Sequence, residues 1–304
     1  MRIGIIAEYN PFHNGHLEQI NWIKHNFPNS EIIVLLTDQF TQRGDLNILS
    51  FEQRKKILAN YDIKEVYKMT FEQSVQAAHI YANNAVCILN EKNIDKLVFG
   101  SETCDIQSMI QNAKTLKNKE RDFFLTVKST LKQGKISYPQ AVNVVLKQWN
   151  LKQFTSPNDI LGYEYVKAIV NNDFNIEPIA MKRNVDYFSL QSQGNIASGT
   201  LIRQMLLNNE DVSKFTPIKS FSKFKQLSDY YQEYQKIMFK IDKEKLLTIP
   251  LISEGIENLL LKHINISTFE EYIDQCTSKR YTSSRIKRIM AWILYKFSKI
   301  KKFI

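Results

Sequence analysis

The amino-acid sequence predicts an α/β fold, in which a doubly wound parallel sheet is followed by a smaller helical C-terminal domain. Two observations predict it. Short, almost unbroken apolar runs alternate with segments of helical periodicity over the first part of the chain, and strand-like runs become rare after Thr216-Pro217. The chain has 304 residues, of which 43% are hydrophobic and 24% charged, so it is long enough for a large core and has an ordinary globular composition.

The N-terminal segment predicts a βαβ unit. Residues 3–7 and 31–36 are apolar runs of the kind found in strands that are buried on both faces. Residues 15–24, between them, carry apolar side chains at helical spacing. A parallel pair of strands joined by a helix is therefore expected.

The same alternation continues along the chain. Further strands are expected at residues 65–69, 96–99 and 177–181, and further helices at 51–60, 74–90, 221–241, 257–263 and 284–297. This order is typical of a Rossmann-like sheet. We place a domain boundary after residue 217, which gives an α/β domain of residues 1–217 and a helical, basic domain of residues 218–304.

Net charge and cysteine content indicate which kinds of partner and site the protein has. The formal net charge is +10, which favours a polyanionic partner; on charge alone, RNA, DNA and an anionic membrane all remain open. The three cysteines lie far apart and without CxxC spacing, so neither a disulfide framework nor a zinc site is expected. The N-terminus lacks a signal-peptide pattern and no apolar run is as long as a membrane span, so we expect a cytoplasmic protein with no membrane association.

The segment His13-Asn14-Gly15-His16 follows the first expected strand and opens the first expected helix. Unpaired N–H groups at a helix N-terminus favour phosphate, and a glycine there lets phosphate approach the backbone. His13 and His16 are three residues apart, so both can donate hydrogen bonds to phosphoryl oxygens. A metal site is the weaker alternative, because two histidines without a third ligand are an incomplete set.

A second segment, Ser198-Gly199-Thr200-Leu201-Ile202-Arg203, places a hydroxyl and a glycine before another expected helix and an arginine one turn later. Taken alone, it indicates a helix N-cap followed by a solvated arginine. In the same domain as His13 and His16, we interpret it as a second phosphate site in which Arg203 offers bidentate donors. The candidate catalytic residues are therefore His13, His16 and Arg203.

The C-terminal segment is strongly basic, because no acidic residue follows Asp274. The residues expected to bind RNA are Lys279, Arg280, Tyr281, Arg285 and Arg288, followed by the basic tail of Lys296, Lys299, Lys301 and Lys302. A solvated helix face with a basic tail is the alternative. For Tyr281, stacking on a base and packing against its own helix both remain open.

The two phosphate motifs together resemble the HxGH nucleotidyltransferase superfamily, whose members attack the α-phosphate of a nucleotide and release pyrophosphate. The longer segment Ile5-Ile6-Ala7-Glu8-Tyr9-Asn10-Pro11-Phe12-His13-Asn14-Gly15-His16 is similar to the opening of the bacterial tRNA(Met) cytidine acetate ligases. Three further segments resemble motifs of that family in the same order: Gln42-Arg43-Gly44, Gly100-Ser101-Glu102, and Lys279-Arg280-Tyr281-Thr282 with Arg285.

This resemblance implies an enzyme that makes acetyl-adenylate from ATP and acetate and transfers the acetyl group to N4 of the wobble cytidine of elongator tRNA(Met). The product is N4-acetylcytidine. It implies Mg²⁺ on the triphosphate and no stable protein partner. The ATP contacts that it implies are Ile6, Ala7, Glu8, Tyr9, Asn10, Pro11, Phe12, Asn14, Gly15, Gly100, Asn158, Arg183, Ser198 and Thr200.

Two other functions are weighed against this one. A small-molecule nucleotidyltransferase of cofactor biosynthesis would share His13, His16 and Arg203, but it has no use for the basic C-terminus. An RNA-binding protein with a degenerate, regulatory nucleotide site is the second alternative. The intact phosphate motifs argue against it.

Overall fold

The computed structural model describes residues 1–134, 136–183, 192 and 194–298. Its sheet has five parallel strands: β1 (Arg2–Ala7), β2 (Glu31–Leu36), β3 (Glu65–Lys68), β4 (Lys96–Ser101) and β5 (Glu177–Lys182). The strand order is β3-β2-β1-β4-β5, so β1 is central and the chain winds first to one side and then to the other. The doubly wound parallel sheet and its five predicted strands are confirmed.

Helices connect and cover the strands. In the α/β region they are α1 (Asn14–Asn26), α2 (Phe51–Ala59), α3 (Phe71–Ser74), α4 (Ala78–Glu91), α5 (Ile106–Asn118), α6 (Glu120–Gly134), α7 (Tyr138–Gln148), α8 (Pro157–Asn171) and α9 (Gly199–Leu207). The C-terminal region contains a 3-10 turn (Leu227–Tyr230), α10 (Tyr231–Met238), α11 (Lys243–Leu247), α12 (Ile256–Lys262), α13 (Phe269–Cys276) and α14 (Ser283–Phe297). A helical C-terminal region is therefore confirmed.

Two predicted helices differ from the structure. The helix expected at 74–90 is interrupted, because the Trp292 indole N–H donates to the Val75 carbonyl at 2.8 Å and Ala77 is extended. The helix expected from residue 221 begins only at Leu227, where the Gln226 N–H donates to the Asp229 carboxylate at 2.8 Å and starts the 3-10 turn. The sequence analysis does not predict seven of the observed helices: α3, α5, α6, α7, α8, α11 and α13.

The C-terminal helices pack directly on the α/β region. One hydrophobic cluster contains the buried face of α14 together with Phe40, Leu46, Phe71 and Val75. The rings of Phe71 and Tyr295 stack with their centroids 3.8 Å apart. The domain boundary after residue 217 stays a prediction, and this cluster spans it.

Within the described residues, no helix combines the length and the apolar character needed to cross a membrane.

Gly44 lies where the α/β region meets α14, and it has a positive φ of 89°. A Cβ at this position would lie 2.8 Å from backbone atoms of Lys287 and Arg288, which cannot swing aside as a side chain can. Gly255 has a similar φ of 83°, but a Cβ there would meet only the Asn258 amide at 3.7 Å. A substitution at Gly255 therefore measures the cost of backbone strain alone, whereas a substitution at Gly44 adds the cost of a steric conflict.

We expect Gly44→Ala to lower the free energy of unfolding by about 2 to 4 kcal/mol, since strain and overpacking add. Gly255→Ala, as the matched control, should cost about 1 kcal/mol, because only the left-handed backbone is penalised. Urea unfolding of both variants checks this. Equal losses would mean that the contact between Gly44 and α14 is not tightly packed.

Candidate active site

A cavity of about 340 Å³ opens at the carboxyl ends of β1 and β4. This is the point where the strand order reverses, since β2 and β3 lie on one side of β1 and β4 and β5 on the other. Open α/β sheets bind ligands in the crevice at such a point. The position of the cavity is thus a consequence of the winding of the chain.

The motif His13-Asn14-Gly15-His16 forms the start of α1 at this cavity, with His13 as the N-cap. The His13 Nδ1 accepts from the Gly15 N–H at 3.1 Å, and the His16 Nδ1 accepts from the His13 N–H at 3.2 Å. The two rings stack with centroids 3.7 Å apart. Because each Nδ1 is an acceptor, each neutral ring carries its proton on Nε2 and is a donor there.

Both histidines are electrically neutral at pH 7. Burial, together with the positive charges of Arg183 and Arg203, lowers the pKa of His13 to about 3. Burial also holds the pKa of His16 well below its usual value, assisted by His13 and Arg183. Their Nε2–H groups are therefore fixed neutral donors, and the positive charge of this part of the cavity comes from arginines.

Helix α9 contributes the arginine that reaches the turn before α1. The Arg203 Nη1 donates to the Asn10 carbonyl at 2.6 Å, and its Nη2 donates to the Thr200 hydroxyl at 3.2 Å. The Ser198 hydroxyl caps α9 by accepting from the Leu201 N–H at 3.0 Å. The N-cap expected from sequence and the arginine facing the cavity are thus both present in one segment.

The ends of β4 and β5 form the other wall. Gly100 lies against Arg183, since a Cβ at Gly100 would be 2.9 Å from the Arg183 Cδ. Two residues after Gly100, the Glu102 carboxylate accepts hydrogen bonds from the Asn158 side chain and from the Ser156 hydroxyl, the latter at 2.9 Å. The carboxyl end of β4 is thereby joined to the N-terminus of α8.

Asp159, which lies in α8, also joins this helix to the end of β4. It is buried, and it accepts hydrogen bonds from the Ser101 and Ser156 hydroxyls, the latter at 2.7 Å. Burial opposes its charge, but these donors hold the pKa of Asp159 below its usual value. The carboxylate is therefore a structural acceptor that fixes the carboxyl end of β4, where Gly100 lies.

The structure places most of the predicted site residues around one cavity. Its lining includes thirteen of them: Ile6, Ala7, Glu8, Tyr9, Asn10, His13, His16, Gly100, Asn158, Arg183, Ser198, Thr200 and Arg203. Gly15 borders a small adjoining cavity with His13 and Arg183. A Cβ at Gly15 would lie 3.1 Å from the His13 ring, so the glycine makes room for that ring.

Three expected nucleotide contacts lie elsewhere. Phe12 is fully buried in the core beside β1, and Pro11 is buried in the turn. The Asn14 amide donates to the carbonyls of Asn195 and Lys214 at 2.8 and 3.0 Å, which ties the start of α1 to the segment around α9. Pro11, Phe12 and Asn14 are therefore not part of the cavity lining, and their role as nucleotide contacts stays a prediction.

Arg54 is a residue that sequence reasoning missed. It is fully buried, and its guanidinium donates to the carbonyls of Glu8 at 2.6 Å and Thr37 at 2.8 Å, at the ends of β1 and β2. The Glu8 carboxylate also accepts from the Gln42 N–H at 2.7 Å, which joins the end of β1 to the loop after β2. No motif surrounds Arg54 in the sequence, so nothing distinguishes it there from a solvated helical arginine.

The expected RNA-binding residues differ in their exposure to solvent. Lys279 and Arg280 are exposed. Tyr281 is only 8% exposed, with Arg280 and Arg285 against its ring and its hydroxyl donating to the Glu254 carbonyl at 2.6 Å. Of the two alternatives for Tyr281, the structure favours packing.

Arg288 differs from the expected surface position, because it is buried and faces a cleft. The tail residues Lys299, Lys301 and Lys302 lie outside the described residues.

The neutral histidines predict a pH dependence of stability. Below pH 6.5 the unfolded chain takes up protons on His13 and His16 that the folded protein does not, so acidification favours unfolding. We expect the free energy of unfolding to fall by up to about 1.4 kcal/mol per pH unit for each histidine between pH 6 and 4. Urea unfolding across this range checks it, and the slope should shrink in His16→Asn. An unchanged slope in that variant would contradict the assignment.

Comparison with known proteins agrees with this geometry. A family model described as HIGH Nucleotidyl Transferase matches residues 1–303. The tRNA(Met) cytidine acetate ligase of Mycoplasma mobile is 46% identical over 300 residues, covering 98% of this chain and 100% of that protein.

Two solved structures share the fold. The chain superimposes on apo Thermotoga maritima TmcAL with a TM-score of 0.89 at 23% identity, and on the same protein bound with alpha-thio ATP with a TM-score of 0.87 at 24% identity. Each match covers 98% of this chain and 76% of the other. The resemblance drawn from the motifs is confirmed: the chain belongs to the HIGH nucleotidyl transferase family and, within it, to the tRNA(Met) cytidine acetate ligases.

Proposed function

We propose that this protein activates acetate with ATP to form acetyl-adenylate and transfers the acetyl group to N4 of the wobble cytidine of elongator tRNA(Met). The observation that carries the proposal is the cavity at the reversal of strand order, where two fixed Nε2–H donors lie near two arginines. It occurs in a chain that is 46% identical to a tRNA(Met) cytidine acetate ligase.

In the first step, a carboxylate oxygen of acetate attacks the α-phosphorus of ATP, and the bond from that phosphorus to pyrophosphate breaks. Both reactants are anionic, so the reaction needs donors that offset repulsion and stabilise the charge of the transition state. His13 and His16 offer Nε2–H donors for this role, and Arg203 offers positive charge. Because these groups are held by backbone hydrogen bonds, they need little reorganisation.

In the second step, N4 of the cytidine attacks the acetyl carbon, and the bond from that carbon to the AMP phosphate breaks. The amine loses one proton and AMP leaves. No covalent bond to the protein is required, which agrees with the absence of a motif for an activated nucleophile in the sequence.

Mg²⁺ belongs to this proposal as an ion held by the triphosphate. The only carboxylate among the described residues that line the cavity is Glu8, which already accepts from the Gln42 N–H. The described residues also contain no cluster of three or more His, Cys, Asp or Glu suited to a metal. The phosphate oxygens and water therefore suit the ion better than the protein does, and bound Mg²⁺ would neutralise phosphate charge.

His16→Asn tests the donor role. The asparagine Oδ1 can replace Nδ1 as acceptor for the His13 N–H, while the distal Nε2–H donor is lost. We expect acetate-dependent ATP–pyrophosphate exchange to fall about 100-fold or more, with the melting temperature and the affinity for tRNA nearly unchanged.

His16→Gln is the matched control, since its amide can reach the position of Nε2–H and should restore part of the exchange. Loss of tRNA binding together with exchange in His16→Asn would instead make His16 a structural residue. Exchange with a small phosphorylated substrate and not with acetate would favour the cofactor-forming alternative.

Lys279 and Arg280 test the RNA surface, since both are exposed. Lys279→Gln combined with Arg280→Gln should weaken tRNA binding and reduce the slope of log K against log salt by about 2, while sparing acetate-dependent exchange. Lys114→Gln with Arg121→Gln removes the same charge from exposed sites on α5 and α6 and serves as control. Equal slopes in the two double variants would remove Lys279 and Arg280 from the RNA surface.

A further inference from the structure

A second, larger cavity of about 600 Å³ lies beside the first, between the α/β region and the C-terminal helices. The two cavities share the lining residues Gln42, Arg43, Ala78 and Ile160, so they adjoin. The volume is in the range of sites that hold small molecules or single nucleotides. The mechanism described above leaves this cavity unassigned.

Arg288 is a buried charge that faces this cavity. It is 9% exposed, and its Nε has no hydrogen-bond partner in the described part of the chain. The charges that act on it are those of Arg285 and Arg43, which are also positive. Burying a guanidinium near other guanidiniums is energetically unfavourable unless an anion pairs with it.

The neighbouring arginines are held in place by the protein. Arg285 donates to Glu254 at 3.0 Å and to the Ser253 hydroxyl at 2.8 Å. Four arginines and two glutamates line the cavity in total, so its wall is positive. Burial and then the nearby arginines lower the pKa of Arg288 to about 10, which still leaves it charged at neutral pH.

Another part of the lining is largely apolar and aromatic, with the Glu164 carboxylate close to its two rings. It is built by α7 and the start of α4, with Tyr138, Pro139 and Val142 beside His79. The rings of Tyr138 and His79 lie 5.3 Å apart, and Tyr138 is 41% exposed. An exposed tyrosine ring in the same cavity as several arginines matches a nucleotide, whose base is apolar on its faces and whose phosphate is anionic.

We propose that this second cavity holds the acceptor nucleotide of the RNA, with its phosphate on Arg288 and its base against the wall of Tyr138. The proposal rests on the proposed function and extends it, because it names where the RNA enters. A base displaced from its neighbours into this cavity would lie next to the cavity in which acetyl-adenylate forms. A small free nucleotide is the less suitable occupant, because the exposed Lys279 and Arg280 continue the positive surface beside Arg285.

The first experiment measures binding of cytidine 5′-monophosphate and of cytidine by calorimetry, with AMP present to fill the first cavity. In the wild type the monophosphate should bind about tenfold more tightly than the nucleoside, or better, because of its phosphate. Arg288→Met should abolish that difference. Arg121→Met removes an exposed arginine on α6 and should leave it unchanged.

The second experiment measures the two half-reactions separately. Arg288→Met should raise the KM for tRNA(Met) transcript about tenfold or more and leave acetate-dependent exchange unchanged. Its melting temperature should equal or exceed that of the wild type, since an unpartnered buried charge is removed. Tyr138→Ala, at a partly exposed position, should also raise this KM.

Three outcomes would overturn the inference: RNA acetylation by Arg288→Met with the wild-type KM, binding of the monophosphate that does not depend on Arg288, or a large loss of stability that reduces both half-reactions. Failure of the proposed function has a different signature. In that case the wild type would form acetyl-adenylate without acetylating RNA, whereas Arg288-dependent binding of the monophosphate would still support a nucleotide site.

Discussion

The active-site edge of the sheet depends on one buried guanidinium. Arg54 donates to backbone carbonyls of Glu8, Thr37 and Asp38, where β1 and β2 have ended and no further strand is present to pair with them. Buried carbonyls without partners are costly, and a planar fork of donors can serve several at once. Burial lowers the pKa of Arg54 to about 10, so it stays charged at neutral pH. The turn that delivers His13 begins directly after this point.

Periodicity and local motifs predicted much of the fold. The five strands follow from apolar runs, because a parallel sheet covered on both faces leaves little room for polar side chains. The alternation of strands and helices predicted a doubly wound sheet, but the exact order of the strands depends on long-range pairing, which no single run encodes. The break at Val75 could not be predicted for the same reason, since it depends on Trp292, more than two hundred positions later.

Residues of the candidate site could be predicted from the sequence where a side chain of suitable chemistry stands at a recognisable position in a motif. His13 and His16 stand at the start of α1, and Arg203 lies one turn into α9, so their direction follows from the helices that carry them. Arg54 and Arg288 were not predictable in this way. Their roles depend on burial, and burial is decided by elements distant in sequence. Three of the predicted contacts in this segment, Pro11, Phe12 and Asn14, lie outside the cavity lining, because residues that shape a turn stand among residues that face the cavity.

The packing of α14 has a consequence for dissecting the protein. Phe71 and Val75 belong to the α/β region by sequence, yet their partners are Tyr295 and Trp292. Cutting the chain after residue 217 would expose this apolar surface and leave the Val75 carbonyl without its donor. An isolated N-terminal fragment would then be prone to associate through that surface. The two regions are better regarded as parts of one cooperative folding unit than as modules that can be exchanged between proteins.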